Sequence, residues 1–325
     1  MQFIQLLQDN MTLAVLVFGL LGLCVGSFLN VVIHRIPLIM IYDWRQECSQ
    51  FISDQVDMPR EHTQPLTNIV ANDQSITLSR PASRCPHCAH KIKWYENIPL
   101  ISWLVLRGRC SDCKASIGLR YPLVELVTAL LSVLVIYKFG VNATGLSALI
   151  LVWTLVTLTG IDFDTQLLPD RLTFPLAGLG LAVNSQGWFV SPTQSIWGLL
   201  LGFLSLWIVV KIFYLITKKH GMGQGDFKLL AVLGAWLGPL MLPLIILLSS
   251  LLGSIVGLIL MKKQGESRPF AFGPYIAIAG IVALLYGSDI VSWYLGNASS
   301  GVPARPASRP RQAPPSWCAP CRRRP

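Results

Sequence analysis

The chain has 325 residues, of which 53% are hydrophobic and 13% charged, and its mean hydropathy is +0.55. A water-soluble domain carries about 25% charged residues, so this composition excludes an ordinary soluble globule and points to the membrane. The formal charge of +10 does not indicate a nucleic-acid ligand: six of the 26 basic residues follow Gly301 in a segment without acids, and residues 1–300 hold the other 20 against 16 acidic residues.

Residues 11–33 are the first apolar stretch long enough to span a bilayer, and a first transmembrane helix is expected over 1–34. Within it Ser27, Asn30 and His34 recur at helical spacing on one face. Such polar side chains turn toward other helices rather than lipid, where packing accounts for them as well as support of a catalytic site does.

Residues 35–122 are polar and charged and form the only sizeable soluble insertion. They carry Cys85-Pro86-His87-Cys88 and Cys110-Ser111-Asp112-Cys113, two Cys-x₂-Cys pairs. Four thiolates brought to tetrahedral distance suit Zn²⁺, so Cys85, Cys88, Cys110 and Cys113 are the candidate metal ligands. Two structural disulfides are the competing reading, and the compartment decides between them.

Apolar segments resume at 123–138, 145–161, 173–190, 195–215, 228–240, 241–260 and 273–294. With the first they make eight spans, an all-α polytopic membrane protein whose residues 123–295 form a seven-helix domain. The segments 228–240 and 241–260, interrupted around Pro239 and Pro243, also suit one re-entrant hairpin. Basic residues crowd the insertion, the 211–228 loop (Lys211, Lys218, Lys219, Lys228) and the 261–269 loop (Lys262, Lys263, Arg268), whereas loops of opposite parity hold almost none besides Lys138. The positive-inside rule therefore places the insertion in the cytosol, and with it the span ends that carry Asp162 and Asp226. A reducing cytosol favours zinc over disulfides. Residues 296–325 read as a disordered or foreign tail; Cys318 and Cys321 form a third Cys-x₂-Cys with no second pair beside it, and no function is assigned there.

The chemistry centres on Gly221-Met222-Gly223-Gln224-Gly225-Asp226-Phe227-Lys228. Three glycines in five residues permit unusual backbone angles and close approach to another chain segment. Asp226 follows at the mouth of an apolar segment, where as a plain turn residue it would cap a helix running from Leu229. Far upstream, Asp162-Phe163-Asp164 stands at the end of another span. Two carboxyls at short range cannot both ionise comfortably; the ionised one activates water and the protonated one polarises a scissile carbonyl. No paired Ser/His and no His-Glu-x-x-His competes. Asp162 and Asp164 point to different faces of a helix, so only one meets Asp226, and the residues alone do not choose.

Gly223-Gln224-Gly225-Asp226-Phe227-Lys228-Leu229 resembles the GxGDxKL signature of type IV prepilin peptidases, aspartic proteases of the bacterial membrane. Ile161-Asp162-Phe163-Asp164 through Leu168-Pro169-Asp170 resembles the family's first aspartate motif, and the resemblance assigns Asp162 as the partner of Asp226, leaving Asp170 as an N-cap. The stretch from Gly26-Ser27-Phe28 to Ile36-Pro37, the cysteine insertion and Phe272-Gly273-Pro274 are similar to further family motifs, and the resemblance runs to about residue 295. It implies a bifunctional inner-membrane enzyme. The enzyme would remove the leader of type IV prepilins and type II secretion pseudopilins, then N-methylate the new terminus, usually Phe, with S-adenosylmethionine. No strand with a Gly-rich nucleotide loop is present, so the methyl-donor site is expected in or beside the insertion, with no residues assigned. A proton-coupled transporter with a regulatory zinc domain is the alternative, and it requires charge near mid-membrane.

Overall fold

The computed structural model describes residues 2–55, 76–218, 222–264 and 271–299, and the tail from 300 onward lies outside them. The described residues are helical, without a sheet. In order they form α1 (Gln2–Asp9), α2 (Met11–Gln55), α3 (Ile101–Val105), α4 (Arg120–Phe139), α5 (Ala143–Thr165), α6 (Asp170–Ser185), α7 (Pro192–Thr217), α8 (Gln224–Leu237), α9 (Leu242–Gln264) and α10 (Gly273–Ser299). Residues Met1–Gly287 make one compact unit, and the second begins at Ser288 within α10.

Local chemistry sets the helix ends. Gly140, at φ 76°, stops α4 and returns its N–H to the Ile136 carbonyl at 2.8 Å. Asn142 caps α5 by accepting the Gly145 N–H at 2.8 Å. Gln166, at φ 55°, closes α5 by donating its N–H to the carbonyl of Asp162. Ser191 and Gln194 form a reciprocal capping box at α7, with Pro192 as its first residue.

Among the described helices, six are long and apolar enough to cross a membrane: α2, α4, α5, α7, α9 and α10. Eight spans were expected, and the difference lies in α6 and α8. Their 16 and 14 residues rise only about 24 and 21 Å, against a hydrocarbon core of about 30 Å. Every residue from Leu229 to Leu237 is buried, so α8 is apolar because it is the core of the bundle rather than because it meets lipid. The re-entrant hairpin is replaced by α8 and α9 joined at a 3₁₀ turn, Pro239–Met241. The first helix also runs past its expected end at 34, continuing to Gln55 with Pro37 inside it. The change to polar residues ends its apolar face, not its hydrogen bonding.

With little hydrophobic drive between helices in lipid, contact is made through small residues. A Cβ on Gly22 would sit 2.7 Å from the Ala129 backbone and one on Gly26 2.7 Å from the Glu125 backbone, so α2 and α4 touch main chain to main chain. Gly198 and Gly202 of α7 meet the backbone of α8 in the same way. The core is then pinned by polar groups. Trp236 donates Nε1 to the Leu176 carbonyl at 2.8 Å, and buried Asn184 donates to the carbonyls of Ala235 and Trp236 at 2.8 and 3.0 Å.

Candidate active site

Asp162 sits in the last turn of α5 and is 4% exposed; Asp226 sits in the first turn of α8 and is 7% exposed. Their carboxyl groups are close enough to repel one another. The cause of the meeting is visible in the glycines. A Cβ on Gly225 would lie 2.7 Å from the Leu168 Cβ, and one on Gly273 would lie 2.6 Å from Asp162 Oδ2 and 3.2 Å from Leu168 Cδ1. Leu168 is thus a shared wedge against which the α5 exit, the start of α8 and the start of α10 converge. The Gly273 N–H faces the Asp162 carboxyl group, while Asp162 Oδ2 is buried without a hydrogen-bond partner among the described residues. An unpaired buried carboxyl oxygen is costly, and water or a substrate carbonyl would satisfy it.

Asp226 does not cap a helix starting at Leu229. The helix begins at Gln224 with Gly223 as N-cap, so Asp226 lies inside the first turn, its carboxyl turned into the bundle. Nor does Asp170 cap α6: Pro169 holds that position and Asp170 is the first helical residue. Its carboxylate takes Lys228 Nζ at 2.6 and 2.8 Å, which ties the start of α8 to the start of α6. Arg171 reaches Asp43 on the α2 extension at 2.6 Å. Asp164 is held by Arg120, one oxygen lying 2.6 Å from Nη1, and Arg120 also donates to the Gly160 carbonyl at 3.1 Å. The neighbours Asp162 and Asp164 therefore have different environments, one buried beside Asp226 and one paired at the surface.

The cysteines form a second centre. One ligand atom from each of Cys85, Cys88, Cys110 and Cys113 lies within 4.8 Å of the others, and all four are free thiols. Sγ of Cys85 is 3.8 Å from that of Cys113, and Sγ of Cys88 is 4.0 Å from that of Cys110. These separations are near the ~3.8 Å edge of a tetrahedron with ~2.3 Å metal–sulfur bonds, and far from a disulfide bond of ~2.05 Å. The two knuckles repeat one geometry. Cys85 and Cys110 each donate their N–H to a carbonyl five residues on (His90, Ala115), and Ala89 and Lys114, which follow the second cysteines, both have positive φ. Of the expected polar face on α2, Ser27 and Asn30 are buried and His34 is exposed.

Residues 20–139 match the bacterial peptidase A24 N-terminal domain and residues 149–258 match the type IV leader peptidase family. A curated protein of Stutzerimonas stutzeri, "Prepilin leader peptidase/N-methyltransferase", is 49% identical over 294 residues, covering 90% of this chain and 97% of its own. The chain belongs to the type IV leader peptidase family. Family members of the same name from Pseudomonas aeruginosa (48% identical, 85% of this chain and 91% of theirs) and Legionella pneumophila (42%, 86% and 94%) are similar over the same extent. No solved structure matches.

Sequence reasoning missed Leu168, the Arg120–Asp164 pair and Glu125. Glu125 had a readable signal, as a lone carboxylate within an apolar segment of spanning length.

Proposed function

We propose that the chain is a membrane aspartic endopeptidase that removes the leader peptides of type IV prepilins and type II secretion pseudopilins. In the same reading it N-methylates the exposed terminus, usually Phe, using S-adenosylmethionine. The convergence of buried Asp162 and Asp226 at the ends of two helices carries the peptidase reading. One carboxylate takes a proton from water as its oxygen attacks the scissile carbonyl, and the protonated partner hydrogen-bonds to the carbonyl oxygen. Collapse of the tetrahedral diol breaks the C–N bond, and a carboxyl proton passes to the departing amine. The basic loops support a cytosolic catalytic face in the bacterial inner membrane, which is where the leader of a membrane-anchored substrate would emerge. Cys85, Cys88, Cys110 and Cys113 would hold one structural Zn²⁺. The transporter reading gains nothing, because both acids lie at helix ends.

Purified protein in nanodiscs, given a prepilin and S-adenosylmethionine, is expected to release the leader and yield a mature chain one methyl group heavier. An intact substrate would contradict the proposal. Gly273→Ala provides a finer check, since its Cβ would push the Asp162 carboxyl group aside. Displacing a catalytic group by about 1 Å costs on the order of 100-fold, so the cleavage rate is expected to fall by about that much while the protein still inserts in the membrane. Wild-type rates from Gly273→Ala would show that this contact does not set the dyad geometry.

A further inference from the structure

The peptidase chemistry leaves one buried acid unused. Glu125, in the second turn of α4, is 8% exposed and accepts the Leu100 N–H at 2.8 Å. Leu100 has φ 56°, a conformation uncommon for a residue with a side chain, and in it presents its amide to the carboxylate. The Ser27 side chain of α2 faces the same carboxyl group. The Gly26 contact fixes the separation of α2 and α4 at this level, and Asn30 ties them again through the Tyr121 carbonyl at 3.1 Å.

Ser27, Asn30, Tyr121 and Glu125 line a cavity of about 540 Å³ between α2, the start of α4 and the two cysteine knuckles. Neither Asp162, Asp226, Leu168 nor Gly273 lines it, so it is distinct from the peptidase site. Its walls include Val31, Trp103, Leu106, Ile117 and Tyr121, apolar and aromatic surfaces suited to a flat heterocycle. Arg35 also lines it, but its guanidinium is committed to the carbonyls of Thr77, Leu78 and Pro81 at 2.6 to 3.0 Å. Arg84, His34, His87 and His90 also border the cavity, with Glu96 facing His90 at 3.5 Å. At the end formed by α2 and α4, the Glu125 carboxylate beside the apolar walls favours a cation attached to a hydrophobic body.

We propose that this cavity is the methyl-donor site, and that Glu125 binds the positive charge of an S-adenosyl sulfonium there. The inference rests on the N-methyltransferase reading above and adds the place and the residue. In the transfer the methyl–sulfur bond breaks with its electron pair staying on sulfur, and the lone pair of the free amine forms the new nitrogen–carbon bond. The methylated ammonium then loses a proton to water. The donor leaves as a neutral thioether, so a carboxylate that recognises the sulfonium holds substrate more tightly than product.

That asymmetry supplies a test independent of turnover. Equilibrium binding of S-adenosylmethionine and of S-adenosylhomocysteine is measured on full-length protein in nanodiscs. Wild-type protein is expected to prefer the sulfonium by about tenfold, the scale of one charged contact. Glu125→Gln keeps the shape and removes the charge. It is expected to erase that preference by weakening S-adenosylmethionine about tenfold while leaving the thioether nearly unchanged. Equal weakening of both ligands, or a preserved preference, would overturn the role of Glu125. Should Glu125→Gln fail to fold, photo-crosslinking of labelled S-adenosylmethionine to wild-type protein decides the place. Label on peptides from 27–38 or 117–125 supports the cavity, and label on peptides carrying Asp162 or Asp226 overturns it. Wild-type protein that binds neither nucleoside and adds no methyl to a pre-cleaved pilin peptide would instead remove the methyltransferase reading itself.

Discussion

Asp162→Asn and Asp226→Asn are each expected to lower prepilin cleavage by about 10²- to 10⁴-fold, the range for losing a general acid or base. Asparagine keeps the size of the side chain but can neither take a proton from water nor share one with its partner. The two positions come from different helices, α5 and α8, and both side chains are buried. Asp164→Asn is the informative control. Its carboxylate is held by Arg120 at the surface, and an exposed ion pair is worth about 0–1 kcal/mol. Cleavage by D164N is therefore expected within about fivefold of wild type. A dead D164N beside an active D162N would exchange their roles. Methyl transfer to a pre-cleaved peptide needs no shared carboxyl proton, so D226N protein is expected to retain it; loss of transfer in folded D226N would mean that the two sites overlap.

The second large effect is expected at the cysteines. Metal analysis of the purified chain is expected to give about one zinc, and replacing Cys85 and Cys88 together by Ser is expected to abolish it. A structural zinc contributes about 10–16 kcal/mol to small domains, more than the short helix α3 and two knuckles can replace by packing. The insertion should then become sensitive to proteolysis and methyl transfer should fail, with cleavage affected far less because the dyad lies on other helices. Acid is expected to release the metal. The backbone amides of Cys88 and then His87 draw the Cys85 thiol down to about 6. Bound zinc would hold its thiolates against protonation further still, so zinc retention should fall only as pH drops well below that value. Metal-free protein containing two disulfides would sink this account.

What the sequence disclosed, and what it hid, follow from the kind of information each feature carries. Cys85, Cys88, Cys110 and Cys113 were legible because paired thiols at short spacing have few uses, and the two-knuckle geometry agrees with that reading. Asp162 and Asp226 were legible as acids at span ends, yet only the motif resemblance separated Asp162 from Asp164. The physical reason for the separation is Arg120, which is 44 residues away in the chain from Asp164 and so invisible to local pattern. The count of eight spans is not confirmed at α6 and α8, because hydropathy measures apolarity and not its partner: Leu229 to Leu237 are buried against protein. Capping of α8 was misread for a related reason. Asp226 has the chemistry of an N-cap, but Gly223 and Gly225 move the helix start upstream and leave the carboxyl facing inward. The extension of α2 to Gln55 was hidden because the loss of apolar periodicity resembles a helix end.

The pairing of Asp162 with Asp226 is tested most directly by joining the two positions. In the double variant D162C/D226C, a short thiol-reactive linker is expected to yield a cross-linked peptide containing residues 162 and 226, identified by mass spectrometry after digestion. The D164C/D226C protein is expected to yield none, because Asp164 is turned to Arg120. A bridge from 164 to 226 with none from 162 to 226 would contradict the dyad.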